Sequence, residues 1–160
     1  MKIGIIGLGY VGLPLAHAFA KKYPVVGFDI NTSRIEELHH GIDRTLELSA
    51  EQLSEVRDTL LCTAKLDDIA DCTVYIVTVP TPIDRNNRPD LTPLVKSSQS
   101  VGKVLKKGDI VIYESTVYPG VTEDVCVPEL EKTSGLVFNT DFFCGYSPVA
   151  FALNETKHPV

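Results

Sequence analysis

The sequence has few cysteines, no excess of positive charge and no long apolar run, and each shortage excludes a class of protein. Its four cysteines are widely spaced without a C-x-x-C pair, which argues against a zinc ribbon and against a disulfide framework. We expect them to be buried as small hydrophobic residues. The net charge is −6, and such a chain lacks the clustered lysine and arginine that nucleic-acid binding requires.

No apolar run approaches the ~20 residues of a membrane span, and the first residues are typical of a β-strand rather than of a signal peptide. We therefore predict no membrane partner and a cytoplasmic location. No internal repeat or low-complexity linker divides the 160 residues, so a single domain is expected. No metal site is predicted.

Apolar runs alternate with amphipathic segments of helical length. Strands are predicted over residues 2–6, 25–29, 59–62, 73–79, 109–113 and 141–146. Helices are predicted over residues 10–22, 32–41, 49–57, 92–107 and 122–132, the third opening with a capping box at Ser49 to Gln52 and the last broken or bent at Pro128. Thr92 is expected to cap the fourth helix, ahead of Pro93 at its first position. The alternation is typical of βαβ units, so we predict an α/β fold, a doubly wound, Rossmann-type, mostly parallel sheet of about six strands.

A G-x-G-x-x-G motif, formed by Gly7, Gly9 and Gly12, follows the first predicted strand. The motif opens a helix and precedes a second strand that ends at Asp29, which is the context of a dinucleotide-binding site. In such a site the first glycine permits the tight turn, the second lets the backbone approach a pyrophosphate, and the third lets the helix pack on the strand. A glycine-rich turn without a ligand is the alternative interpretation.

Asp29 predicts which dinucleotide is bound. A carboxylate accepts hydrogen bonds from ribose hydroxyls but repels a 2′-phosphate, so NAD is favoured over NADP. Arg34 complicates this prediction, because an arginine just past the second strand can bind that phosphate, or can simply be a solvated residue of the second helix. We expect Arg34 to lie beside the adenosine ribose, with Asp29 deciding the cofactor.

Four segments together resemble the UDP-glucose/GDP-mannose dehydrogenase family. They are G-L-G-Y-V-G-L-P-L-A at the start, V-P-T-P-I-D and P-D-L-T-P-L within residues 79–94, E-S-T-V-Y-P-G-V-T-E at 114–123, and G-Y-S-P at 145–148. The segments at 79–94 most resemble the branch that oxidises UDP-N-acetylglucosamine or UDP-N-acetylgalactosamine for capsule and O-antigen synthesis. The resemblance covers residues 1–148 and implies an N-terminal NAD-binding Rossmann domain.

The resemblance implies an enzyme that oxidises C6 of a UDP-sugar twice, from alcohol to carboxylate, while two NAD are reduced. Thr81 and Thr116 follow the fourth and fifth predicted strands, where open α/β sheets bind ligands, although threonines in such places can also cap turns. The resemblance further implies that Thr116 assists catalysis by helping to hold a water molecule. The residues predicted to bind the cofactor are Gly7, Gly9, Tyr10, Val11, Gly12, Asp29, Arg34, Thr81 and Thr116.

Two departures from the family pattern limit what this chain is expected to do. The family nucleophile is a cysteine in a later glycine-rich segment, assisted by a lysine and an asparagine, and none of the four cysteines here lies in that motif. The glutamate that follows G-Y-S-P in the family is replaced by Val149 and Ala150. We expect residues 149–160 to be an atypical tail, whose origin is an altered or frameshifted end, an engineered junction or natural divergence.

The central helical and C-terminal UDP-sugar domains of the family are expected to be absent from this chain. The fragment is therefore predicted to bind NAD without turning over a UDP-sugar. Since the long central helix makes the family's dimer, we expect a homodimer for the full-length protein and a monomer or weak dimer for the fragment. The alternatives are another NAD(P)-dependent dehydrogenase, of 6-phosphogluconate or hydroxyacid type, and a non-catalytic nucleotide-binding module.

Overall fold

A computed structural model describes residues 1–148, and six parallel strands form one sheet through them. The strands are β1 (Ile3–Ile6), β2 (Val25–Phe28), β3 (Leu60–Thr63), β4 (Val74–Val77), β5 (Ile110–Ser115) and β6 (Phe143–Pro148). They lie in the order β3-β2-β1-β4-β5-β6, and every neighbouring pair is parallel. This is the doubly wound order of dinucleotide-binding folds, so the predicted fold class is confirmed.

Helices cover both faces of the sheet. They are α1 (Gly12–Ala20), α2 (Thr32–His39), α3 (Ala50–Glu55), α4 (Thr92–Val104) and α5 (Val127–Ser134). One hydrophobic cluster packs α1 and α2 on one face through Leu13, Ala16, Ile35 and Leu38, and a second packs α4 and α5 on the other through Leu94, Val101 and Leu130. Along the described part of the chain, none of the helices has the length and apolarity that crossing a bilayer requires.

Strand β1 shows why the sheet is buried on both faces. Ile5 belongs to the cluster that packs α1, whereas the next residue, Ile6, belongs to the cluster that packs α4. Successive side chains of a strand point to opposite faces, so a strand between two helical layers must be apolar throughout. All four residues of β1 are accordingly buried.

The helix starts depend on local capping. Asn31 caps α2, and its side chain accepts a hydrogen bond from the Arg34 amide at 3.2 Å. Ser49 and Gln52 form the capping box that the sequence predicts at the start of α3. Both helices therefore begin where their sequences indicate.

The predicted cap of α4 is wrong by one residue. Leu91 occupies the N-cap, and the helix begins at Thr92 with Pro93 in its first turn. The Asp90 carboxylate accepts a hydrogen bond from the Thr92 amide at 2.9 Å. Because the Asp90 carboxylate accepts the hydrogen bond of this otherwise unpaired amide, Thr92 is the first residue of the helix rather than its cap.

The break or bend predicted at Pro128 coincides with a change in helix type. A single π-helical turn, Thr122–Cys126, precedes α5, which begins one residue before this proline. Proline has no amide hydrogen to donate, so it is tolerated in the first turn of a helix but interrupts one that continues through it.

Gly102 sets how closely α4 approaches α5. A Cβ atom at this position would lie 2.7 Å from the Cβ of Thr133 and 3.2 Å from its methyl carbon. The distance between two helices depends on the side chains at their contact, so this packing requires a residue without one.

We expect Gly102→Ala to lower the free energy of unfolding, measured by urea denaturation. Overpacking costs about 1–3 kcal/mol, which outweighs the roughly 1 kcal/mol that alanine gains over glycine in a helix. The control is Lys103→Ala at the exposed neighbouring position, which should change the stability little. A Gly102→Ala protein more stable than the original would contradict this account of the helix contact.

Candidate functional site

The G-x-G-x-x-G loop joins β1 to α1 and needs glycine at two positions for its shape. Gly7 has a φ angle of +99°, which residues with a side chain rarely adopt. A Cβ atom on Gly12 would overlap the carbonyl oxygen of Gly7 and the hydroxyl oxygen of Thr78. Helix α1 therefore starts in direct contact with the ends of β1 and β4, which is the close packing expected of this glycine.

Gly9 lies at the middle of the loop beside open space. A Cβ atom there would meet no other heavy atom of residues 1–148 within 4 Å. The Leu13 amide makes the first hydrogen bond of α1, to the Gly9 carbonyl oxygen at 3.2 Å, and Val11 at the N-cap supplies no side-chain cap. The amides of the first turn, including those of Tyr10 and Gly12, can therefore bind an anion.

Asp29 follows β2 and holds the glycine loop. Its carboxylate oxygens accept hydrogen bonds from the Leu8 amide and from the Asn31 amide, each at 2.9 Å. Each carboxylate oxygen retains a further acceptor position. Asp29 can thus accept a hydrogen bond from a ribose hydroxyl while it positions the loop.

Arg34 is buried, with 4% of its surface exposed, so the alternative of a solvated residue is wrong. Its Nε donates to the Leu8 carbonyl oxygen at 2.9 Å, and its Nη2 donates to Asp43 Oδ1 at 2.8 Å. Its Nη1 has no hydrogen-bond partner among residues 1–148 and lies 3.7 Å from Glu37 Oε2. The guanidinium therefore makes two hydrogen bonds within the protein, one through Nε and one through Nη2.

Asp43 is a residue of this region that sequence reasoning missed. Its side chain is fully buried and accepts hydrogen bonds from Arg34, from the amide and hydroxyl of Thr45, and from the amides of Glu47 and Leu48. Burial alone would raise the pKa of Asp43, but the hydrogen bonds from Thr45, Leu48 and Arg34 outweigh it and lower the pKa to about 2. No motif signals this pairing, because the two partners meet only through the turn after α2.

Thr81 and Thr116 follow β4 and β5 and lie side by side. Their hydroxyl oxygens are 3.4 Å apart, although 35 positions separate them in the chain. Thr78, which the sequence indicates only as part of a strand, donates from its hydroxyl to the carbonyl oxygens of Ile6 and Gly7 at 3.1 and 2.8 Å. It joins the end of β4 to the glycine loop.

A cleft of about 780 Å³ opens at the carboxyl ends of β1, β2 and β4, next to α4. Its volume lies within the roughly 300–1,000 Å³ of ligand pockets, and it lies where the strand order reverses, which is where open α/β sheets bind ligands. The cleft brings together five of the predicted residues, namely Gly7, Gly9, Tyr10, Asp29 and Arg34. Within the described chain Val11, Gly12, Thr81 and Thr116 do not line it, but Thr81 directly follows the lining residue Pro80.

None of the four cysteines, all of which lie within residues 1–148, lines the cleft. Cys62, Cys72 and Cys126 are buried as expected, and Cys144 is half-buried. Burial raises the pKa of Cys62 and Cys72 to about 11, so these thiols stay protonated at neutral pH and are poor nucleophiles. Residues 1–148 also assemble no group of three His, Cys, Asp or Glu side chains suited to a metal ion.

The whole cleft lies within a region that matches a known protein family. Residues 1–156 match the NAD binding domain of the UDP-glucose/GDP-mannose dehydrogenase family. The chain belongs to this family. Its cofactor is accordingly NAD, and the resemblance drawn from the four sequence segments is confirmed.

Several relatives are similar over almost the whole chain. UDP-N-acetyl-D-glucosamine 6-dehydrogenase of Pseudomonas aeruginosa is 62% identical over 160 residues, which are all of this chain and 38% of that protein. Protein CapL of Staphylococcus aureus is 53% identical over 156 residues, 98% of this chain and 36% of that protein. The structure of UDP-D-ManNAc dehydrogenase from Pyrococcus horikoshii has a TM-score of 0.87 at 36% identity, covering 92% of this chain and 36% of that one. The chain thus spans little more than a third of the length of these relatives.

Two glycine variants separate folding from binding. We expect Gly12→Ala to lower the thermal midpoint strongly, because overpacking against rigid backbone costs about 3 kcal/mol or more. Gly9→Ala should leave the midpoint unchanged, since its methyl group enters open space, yet weaken NAD binding in calorimetry because the glycine motif predicts that the cofactor approaches the backbone there. Equal destabilisation by the two variants, or undiminished NAD binding by Gly9→Ala, would contradict this division of roles.

Proposed function

We propose that residues 1–148 are the NAD-binding domain of a nucleotide-sugar 6-dehydrogenase of polysaccharide biosynthesis. The enzyme would oxidise the C6 alcohol of a UDP-N-acetylhexosamine to a carboxylate and reduce two NAD. The observation that carries this proposal is the 62% identity, over all 160 residues, to a protein named UDP-N-acetyl-D-glucosamine 6-dehydrogenase. We assign the UDP-sugar to further domains of a longer protein. Residues 149–160, assigned to a tail, lie outside the described residues.

The described residues fit NAD along the cleft. The open space at Gly9 and the amides of the first turn of α1 suit a pyrophosphate. Asp29 and Arg34 both line the cleft, where Asp29 would offer an acceptor to the adenosine ribose and Arg34 would lie beside that ribose. Thr81 and Thr116, at the ends of the next two strands, would hold the nicotinamide end. Tyr10, Val11 and Gly12 complete the proposed set through the loop backbone.

Bound NAD would accept the hydride that leaves C6 of the sugar. The residues of this chain would orient that cofactor and hold a water molecule for the hydrolytic step. Thr116 is the residue proposed to hold the water, and the Thr81 hydroxyl, 3.4 Å away, can orient it. Because Cys62 and Cys72 are buried and protonated, we assign the covalent step to a thiol elsewhere in the longer protein.

The proposal extends to the setting of the enzyme. We place it in the cytoplasm, as a full-length homodimer that acts on a small molecule and binds neither nucleic acid nor membrane. The net charge of −6 supports the exclusion of nucleic acid. The 160-residue chain alone is proposed to be a monomer or a weak dimer.

Calorimetry with the 160-residue chain tests the cofactor site. We expect NAD to bind more tightly than NADP. Asp29→Ala should weaken NAD binding roughly tenfold, because a charged hydrogen bond is lost, and should reduce the difference in affinity between NAD and NADP. The thermal midpoint must be followed as well, because Asp29 also holds Leu8. The control is Asp58→Ala, which removes an exposed carboxylate ahead of β3, at the amino ends of the strands, whereas the cleft lies at their carboxyl ends. Equal affinity for the two cofactors would overturn the assignment.

A chimera tests the enzyme assignment. Residues 1–148 would replace the matching segment of the Pseudomonas aeruginosa relative, and NADH formation would be followed with UDP-N-acetylglucosamine. We expect activity, and we expect Thr116→Val in the chimera to lower kcat by on the order of tenfold or more through loss of the hydroxyl. Thr140→Val, at an exposed turn, is the matched control. A chimera that binds NAD but forms no NADH, or a Thr116→Val chimera of full activity, would count against these roles.

A further inference from the structure

Five charged residues surround the end of the cleft at which the ribose is proposed to bind, and we call them the ribose corner: Asp29, Arg34, Glu37, Asp43 and Arg44. Asp29, Arg34 and Arg44 line the cleft, while the other two carboxylates contact the arginines from behind. Three carboxylates and two guanidinium groups leave the ribose corner with a net charge of −1. Two arginines beside a ribose could bind a 2′-phosphate. Whether they do so depends on whether their guanidinium groups are already paired with carboxylates of the protein.

Both arginines are engaged by carboxylates. Arg34 donates from Nη2 to Asp43 Oδ1 at 2.8 Å, and its Nη1 lies 3.7 Å from Glu37 Oε2. Arg44 donates from Nε to the same Glu37 oxygen at 2.7 Å and contacts the other oxygen through Nη2. Glu37 therefore lies between the two guanidinium groups. The hydrogen bond from Arg44 lowers the pKa of Glu37, which is fully charged at neutral pH.

The surroundings of Arg44 otherwise suit a phosphate. Its Nη2 also lies 3.3 Å from the hydroxyl of Ser33, so a hydroxyl donor and a guanidinium stand together next to the cleft. The side chain of Arg44 is 49% exposed, against 5% for Arg34, so Arg44 can turn to a ligand once its partner is lost. Asp43, by contrast, is locked in place by the five hydrogen bonds that shape its loop.

We propose that Glu37 is a specificity-determining residue which, together with Asp43, neutralises Arg34 and Arg44 and so makes the site reject the 2′-phosphate of NADP. This inference rests on the proposed NAD site. Cofactor choice is then a property of the whole ribose corner, and Asp29 supplies only part of it. Without Glu37 the corner has no net charge, and without both Glu37 and Asp29 it has a charge of +1, which attracts a 2′-phosphate.

The test compares Glu37→Gln with Glu36→Gln, which removes the same charge from an exposed position of the same helix. The probes are NAD, NADP, 5′-AMP and adenosine 2′,5′-bisphosphate, titrated calorimetrically into the 160-residue chain. Glu37→Gln should bind NADP and the bisphosphate roughly tenfold more tightly, as one new charged hydrogen bond implies, and bind NAD and 5′-AMP unchanged. Lys96 and Lys103, which line the cleft from α4, are common to both variants and cancel in the comparison.

Two further variants identify the group responsible. Arg44→Ala in the Glu37→Gln background should abolish the gain, since Arg44 is the guanidinium that Glu37 releases. Asp29→Asn combined with Glu37→Gln should bind NADP more tightly than NAD. Thermal midpoints would show that each variant is folded.

The outcomes separate the two proposals. If the original chain binds NAD but Glu37→Gln gains no more affinity for the 2′-phosphate probes than Glu36→Gln, this inference is wrong and the proposed function stands. A gain that survives Arg44→Ala also overturns it. If the original chain binds neither NAD nor 5′-AMP, the proposed function fails, and the inference fails with it.

Discussion

The carbonyl oxygen of Gly7 lies where the Cβ atom of any larger residue at position 12 would be. This contact lets α1 begin directly against the ends of β1 and β4. The Thr78 hydroxyl occupies the same small space and joins β4 to the loop. A densely packed interior has no space for an added methyl group. The close contact between Gly12 and the Gly7 carbonyl oxygen therefore fixes the position of the glycine loop.

The loop is also held from the side of β2. Asp29 accepts a hydrogen bond from the Leu8 amide, and Arg34 donates one to the Leu8 carbonyl oxygen. Arg34 in turn is held by Asp43, whose hydrogen bonds shape the turn that carries Arg44 and Thr45 into the cleft. The two residues expected to contact the ribose therefore also fix the backbone of the loop. A loss of binding after changing either one must be separated from a loss of structure.

Much of the fold could be predicted because its signals are local. The β-branched run that forms β4 and the capping box at Ser49 each depend on residues close in sequence, and both lie where expected. The cap of α4 was misplaced because threonine ahead of proline is a good capping pattern, whereas the folded turn puts Leu91 at the N-cap and the Asp90 carboxylate on the Thr92 amide. Thr78 was missed for a related reason, since a threonine in a strand gives no sign of the glycine loop beside it.

The sequence by itself determined the order of strands and helices, the glycine loop and the carboxylate that follows β2, because periodicity and turn chemistry act over a few neighbouring residues. Only the tertiary structure decided that Arg34 is buried against Asp43 and that Glu37 lies between two arginines. It also decided that Thr81 and Thr116 stand 3.4 Å apart. The contact between the two threonines depends on β4 and β5 being neighbours in the sheet. The contacts of Arg34 and Glu37 depend on how the turn after α2 packs against that helix. Contacts between residues far apart in the chain are set by that packing, which no short segment encodes.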